Sequence, residues 1–223
     1  MTIDEFISMN KCKVLYHMSE KGSWSNIREL GLLSTSALLD LCGYTGNERL
    51  KIESRLREER VRIEHPKYGF IYIRDQFPML DWSEQGIYLD ELLTVPREDW
   101  LKFLSGKVFF WVSRYELIKM LCAFKYKEIP QWIITVNTRA LLEQYVDKAY
   151  ISDQNSGSLY SKKQRGPSTF VPLAKSPRKS NIIELAIDYG IPNFADFVVS
   201  VKECVGRKTD GGRECREIQH IWP

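Results

Sequence analysis

The chain has 223 residues, 43% apolar, 27% charged and 12% aromatic, with a formal net charge of +3. Thirteen Gly and nine Pro beside 6 Trp, 11 Tyr and 10 Phe exclude the disordered, low-complexity and collagen-like classes. Nowhere do eighteen apolar residues run together, and the start (MTIDEFISMNKCK) lacks the basic-then-apolar order of a signal peptide. The expectation is one soluble, cytoplasmic domain spanning residues 1–223, with no membrane partner.

In chain order, residues 13–18 (KVLYHM) predict a strand between turn-like flanks. Ser23 or Ser25 can cap a short helix with Ile27, Leu30 and Leu33 as its apolar stripe, and Gly31 can end it with φ > 0. Residues 35–42 predict a second short helix, and the charge-dense stretch 47–64 a solvated helix with (i, i+4) pairs. A strand pair is expected around residues 70–74, a helix over 97–105, a strand over 107–112 and an amphipathic helix over 114–124. Residues 132–136 predict a strand and 138–145 a helix. Strands follow at 182–187, at 197–201 and at a last segment ending in Ile221 and Trp222. Strands and helices alternate without the even beat of a doubly wound sheet, so the fold class is α+β.

Five cysteines (Cys12, Cys42, Cys122, Cys204, Cys215) make an odd count with no CxxC pair, and His17, His65 and His220 are far apart. That pattern predicts reduced thiols and no metal. No GxGxxG or P-loop motif is present, so those two routes to a nucleotide are closed. No acidic residue lies between Asp153 and Glu184, whereas Lys162, Lys163, Arg165, Lys175, Arg178 and Lys179 do. The stretch is either a solvated loop or a surface for a phosphate-bearing partner, and its glycines and prolines suggest a mobile one. Three polar residues interrupt or close apolar strands: His17, Arg74 and Glu184. Glu184 is an outward-facing edge residue or a cleft carboxylate; His17 is a hydrogen-bonded structural histidine or a ligand-binding one.

The order of these residues resembles a known family. Leu15-Tyr16-His17-Met18-Ser19, a short helix, then Gly31-Leu32 is similar to the opening of the DarT-like ADP-ribosyltransferases, with Ser19 standing where Thr is usual. Glu184-Leu185-Ala186-Ile187, then Ile191-Pro192 and a strand, resembles the block that carries that superfamily's catalytic glutamate. Val108-Phe109-Phe110-Trp111 is similar to its aromatic nicotinamide-holding strand. The resemblance implies a split β-sandwich, two short packed sheets with flanking helices, and NAD as co-substrate.

On that resemblance Glu184 is the catalytic residue. His17, Ser19, Gly31, Phe110, Trp111, Arg74 and Arg165 bind NAD: His17 and Ser19 at a ribose, Phe110 or Trp111 on the nicotinamide, Arg74 or Arg165 at the pyrophosphate. Lys162 and Lys163 contact an acceptor, most naturally RNA or DNA, and an antitoxin protein is a fitting partner for a toxin or phage-defence effector. The alternatives are transfer of an RNA 2′-phosphate to NAD, a protein-directed transferase, and a non-catalytic binding module of the same fold.

Overall fold

A computed structural model describes residues 1–80, 82–178 and 180–222. Side-chain caps start four of the α-helices, at Thr2, Ser34, Ser113 and Asn137. Thr2 and Glu5 form a capping box for α1 (Ile3–Asn10), a helix that the apolar patterning did not reveal. After β1 (Val14–Glu20), Ser23 precedes α2 (Trp24–Leu30) but does not cap it; its hydroxyl donates to the Glu20 carbonyl at 2.7 Å. Gly31 ends α2 with φ 87°, and Leu33 then belongs to β2 (Leu32–Leu33), not to the helix stripe. Ser34 caps α3 (Thr35–Leu41) by accepting from the Ala37 N–H.

The charged stretch 47–64 is not one helix. Only α4 (Gly46–Glu53) forms, with Arg49 bonded to Glu53 one turn on. Apolar periodicity lapses after Ile52, and the chain re-enters as a hairpin of β3 (Val61–His65) and β4 (Gly69–Ile73). There follow α5 (Leu89–Leu92), α6 (Arg97–Ser105), β5 (Lys107–Trp111), α7 (Arg114–Leu121), β6 (Gln131–Asn137) and α8 (Thr138–Tyr145). The remaining strands are β7 (Ala149–Ser152), β8 (Val171–Pro172), β9 (Glu184–Asp188), β10 (Gly190–Ile191), β11 (Val198–Thr209) and β12 (Gly212–Trp222).

The architecture is α+β, with antiparallel sheets and flanking helices. Where two short packed sheets were expected, eight strands share one sheet in the order β12-β11-β6-β1-β5-β9-β7-β8. Its two halves meet at a single register pair, Tyr16 opposite Trp111. One face packs against α1 and α8: Leu15, Ile134, Val108, Phe110 and Leu185 bury with Phe6, Leu141 and Leu142. On the other face α7 covers one half through Leu117 and Leu121, and α6 covers the other through Trp100, Leu101 and Leu104. The β3–β4 hairpin is a separate two-stranded sheet whose isoleucines bury with Leu39 and Ile52. Among the described residues, no helix is long and apolar enough to cross a membrane, and no group of three or more His, Cys, Asp or Glu is placed to hold a metal.

Candidate active site

The site follows from how β1 and β5 share their edges. β1 is fully paired with β6, from Val14 to Glu20, and β5 is fully paired with β9, from Lys107 to Trp111. Toward each other they pair only at Tyr16 and Trp111, so His17–Glu20 and 107–110 diverge. A cavity of about 600 Å³ opens along the split, lined by His17, Met18, Ser19, Phe109, Trp111 and Glu184, with Leu104 of α6 and Met120 of α7 to either side.

Strands that part leave backbone groups to be satisfied by something else. His17 Nδ1 lies 2.9 Å from the Phe109 carbonyl, and Arg74 Nη1 donates to the Met18 carbonyl at 3.0 Å. Both side chains thus stand in for missing ladder bonds. A carbonyl can only accept, so the proton of the neutral imidazole sits on Nδ1 and leaves Nε2 as an acceptor. Burial holds His17 down at about 4, against the help of the Phe109 carbonyl and with a further push from the Arg74 charge. The ring is neutral at pH 7.

Glu184 opens β9 directly opposite Trp111, which itself lies opposite Tyr16, so the three form one row across the join. It is buried, and its Oε2 accepts from the Ser156 N–H at 3.1 Å. Burial raises its carboxyl to about 7; Ser156 and the Arg165 charge oppose the rise, and Glu116 adds slightly to it. A carboxyl titrating near neutrality is available in both forms, as an acid and as a base or negative charge.

Ser19 is buried on the cavity wall with its hydroxyl donating to the Trp132 carbonyl at 3.3 Å, which leaves its oxygen free to accept. Arg74 lies over the Tyr126 ring at 4.6 Å and donates from Nη2 to Gln131 Oε1, while its buried Nε has no partner.

Several expected site residues have other roles. Phe110 is 1% exposed and absent from the cavity lining, because strand alternation turns it into the core against His17 and Phe194. Trp111, one residue on, lines the cavity in its place. Arg165 is also 1% exposed and lies beside a smaller cavity of about 300 Å³. Its guanidinium donates to the Ser156, Ser158 and Lys163 carbonyls, so it ties the loop together and is not placed to meet a pyrophosphate. Gly31 borders the cavity, but what demands glycine there is packing: a Cβ would meet the Ile191 carbonyl oxygen at 2.4 Å.

The acid-free stretch is pinned, not a free loop. Leu159, Phe170 and Leu173 are buried, and Arg165 exchanges backbone bonds with Leu92 and Thr94. Lys162 and Lys163 are exposed outside the cavity lining, and Lys179 lies outside the described residues. Sequence reading missed Arg57, which lines the cavity, is buried and donates to the Arg74 and Ile52 carbonyls. Burial lowers its guanidinium to about 10. It was hidden in the charge-dense stretch, where the loss of apolar periodicity after Ile52 was the available signal.

The fold and site define an α+β protein with a ligand-sized cleft at the join of a split antiparallel sheet. The chain belongs to DUF7002, a family of unknown function whose model matches residues 13–198. That span runs from the residue before β1 to the first residue of β11, and so contains both halves of the cleft. No curated protein matches the chain.

Proposed function

We propose that this chain is an NAD-dependent ADP-ribosyltransferase acting on a macromolecule, most naturally a nucleic-acid base, in the setting of a toxin or defence effector. The observation that carries the reading is the pairing of a neutral histidine and a near-neutral carboxyl along one split in the sheet. The cavity volume of about 600 Å³ falls in the usual range for a cofactor-sized ligand, roughly 300–1,000 Å³. Its polar groups suit NAD: an acceptor at His17 Nε2 for a ribose hydroxyl, the Trp111 ring for the nicotinamide, and an unpartnered Arg74 Nε for the pyrophosphate.

The chemistry asks for a negative charge where the ribose turns positive. As the nicotinamide leaves with the bonding electrons, ionised Glu184 stabilises the ribose cation and then takes the proton of the incoming nucleophile. Desolvation strengthens that charge interaction.

Incubation with adenine-labelled NAD and RNA, DNA or cell lysate tests the reading. Label on nucleic acid is expected, and Glu184→Gln should lower its rate by about 10²–10³ while leaving NAD binding nearly intact. Failure of the wild type to consume NAD with any acceptor overturns the proposal. Arg74, with its unpartnered Nε, and the exposed Arg60 on the same cavity favour one second reading, transfer of an RNA 2′-phosphate to NAD. Loss of phosphate from a 2′-phosphorylated RNA would select it in the same assay.

A further inference from the structure

We propose that the solvent face of the β3–β4 hairpin is a stacking platform for single-stranded nucleic acid at the mouth of the cavity. The inference rests on the transferase reading for what is done to the strand, but not for the binding itself.

Strand alternation sends Ile63, Ile71 and Ile73 inward. The outward face of a two-stranded sheet is ordinarily polar, yet here Phe70 and Tyr72 are 49% and 45% exposed. Each ring is covered by a guanidinium: Arg62 lies 4.2 Å over Phe70 and Arg60 4.5 Å over Tyr72. Arg60 also meets Glu20 at 3.3 Å, and Glu64 stands opposite Phe70 in the register. The exposed charges of residues 55–74 are Arg55, Arg60, Arg62 and Lys67 against Glu58, Glu59 and Glu64, with Arg57 and Arg74 behind them in the cavity wall.

Flat rings capped by flat cations, in a positive field, suit a ligand with planar π-faces and a negative backbone. Phe70 and Tyr72 are alternate residues of one strand, about 7 Å apart. That is roughly twice the 3.4 Å rise of a stacked strand, a spacing that receives successive bases of a drawn-out single strand. A duplex keeps its base faces covered, and an acidic peptide has no use for the two rings. Arg60, Phe70 and Tyr72 border the same cavity as Glu184, so a strand held here presents its bases toward the carboxylate.

Fluorescence anisotropy without NAD tests the proposal, using labelled single-stranded RNA, single-stranded DNA and a duplex, each of about 12 nucleotides, over a range of salt. One or both single strands should bind, the RNA and DNA arms showing which, with the duplex at least tenfold weaker. Phe70→Ala/Tyr72→Ala should weaken single-strand binding roughly 10- to 100-fold. Arg60→Gln/Arg62→Gln should reduce the slope of log affinity against log salt by about 1–2. The proposal is overturned if the wild type binds neither strand. It is equally overturned if both double variants, folded by near-UV circular dichroism, bind like the wild type, or if only Lys162→Ala/Lys163→Ala loses binding. A chain that binds strands but never consumes NAD keeps this platform and fails the transferase reading; the reverse result fails the platform alone.

Discussion

The two central side chains of the cleft titrate in opposite directions from their ordinary values, and that makes their burial measurable. Glu184 ionises near 7 when folded against 4.5 for the ordinary side chain. The native state therefore holds a proton that the unfolded chain gives up, and this contribution, complete below pH 4.5, drains away as pH rises to 7. His17 falls from 6.5 to about 4, so its contribution is complete above pH 6.5 and is lost as pH falls through 4. Between pH 4.5 and 6.5 the two slopes oppose and the wild-type profile is flat. Glu184→Gln should leave the histidine slope, with stability rising by up to about 3 kcal/mol from pH 4 to 6.5. His17→Gln should leave the opposite slope, falling from pH 4.5 to 7. Urea melts across this range check both, and a flat profile in either variant would contradict the burial described here.

At the scale of elements, the cleft is held open by parts that do not enter it. Arg165 binds the carbonyl of Ser156, whose N–H in turn holds Glu184. Arg165→Gln should loosen that loop and raise the Glu184 carboxyl further. If the chain is the transferase proposed above, the pH at which activity reaches half its maximum would then move upward, in NAD hydrolysis and in transfer alike. An effect confined to transfer would mean that the loop only receives the acceptor. On the opposite wall, Gly31 lets α2 pass the Ile191-Pro192 backbone with φ 87°. Gly31→Ala adds a Cβ 2.4 Å from the Ile191 oxygen and 2.5 Å from Pro192 Cα, in a conformation an L side chain avoids. The cost should be at least about 2 kcal/mol, read as a lower urea midpoint with an unchanged m-value.

Across the whole molecule, the main core draws on both halves of the sheet, whereas the hairpin relies on its own small apolar cluster. Local stability should follow that division. Hydrogen exchange should find the amides of Ile134 and Val136 opening only with global unfolding, and those of Ile63 and Ile71 opening at markedly lower free energy. Equal protection would show that hairpin and sheet unfold as one unit. A hairpin that opens separately also lets the cavity mouth widen while the floor, built on β1 and β9, stays fixed.

Much of this fold was legible one residue at a time. Local pattern located β1, α3, α6, β5, β6 and α8 nearly to their ends, because period and capping residues are local properties. It also marked His17, Arg74 and Glu184, since a polar residue set in an apolar strand has to be compensated somewhere. What it could not supply was depth or adjacency. Phe110 and Trp111 read alike in sequence, and only the pleat decides which faces the cavity. Arg165 read as a candidate for the pyrophosphate, and Arg57 as one more charge on a solvated helix. Both are buried, their guanidinium groups bonded to backbone carbonyls: Arg57 to Ile52 and Arg74, Arg165 to Ser156, Ser158 and Lys163 of its own loop, a path of the backbone that residue type does not announce. The split itself belongs to tertiary structure: β1 and β5 each satisfy one edge with another neighbour, and the space left between them is a property of neither strand alone.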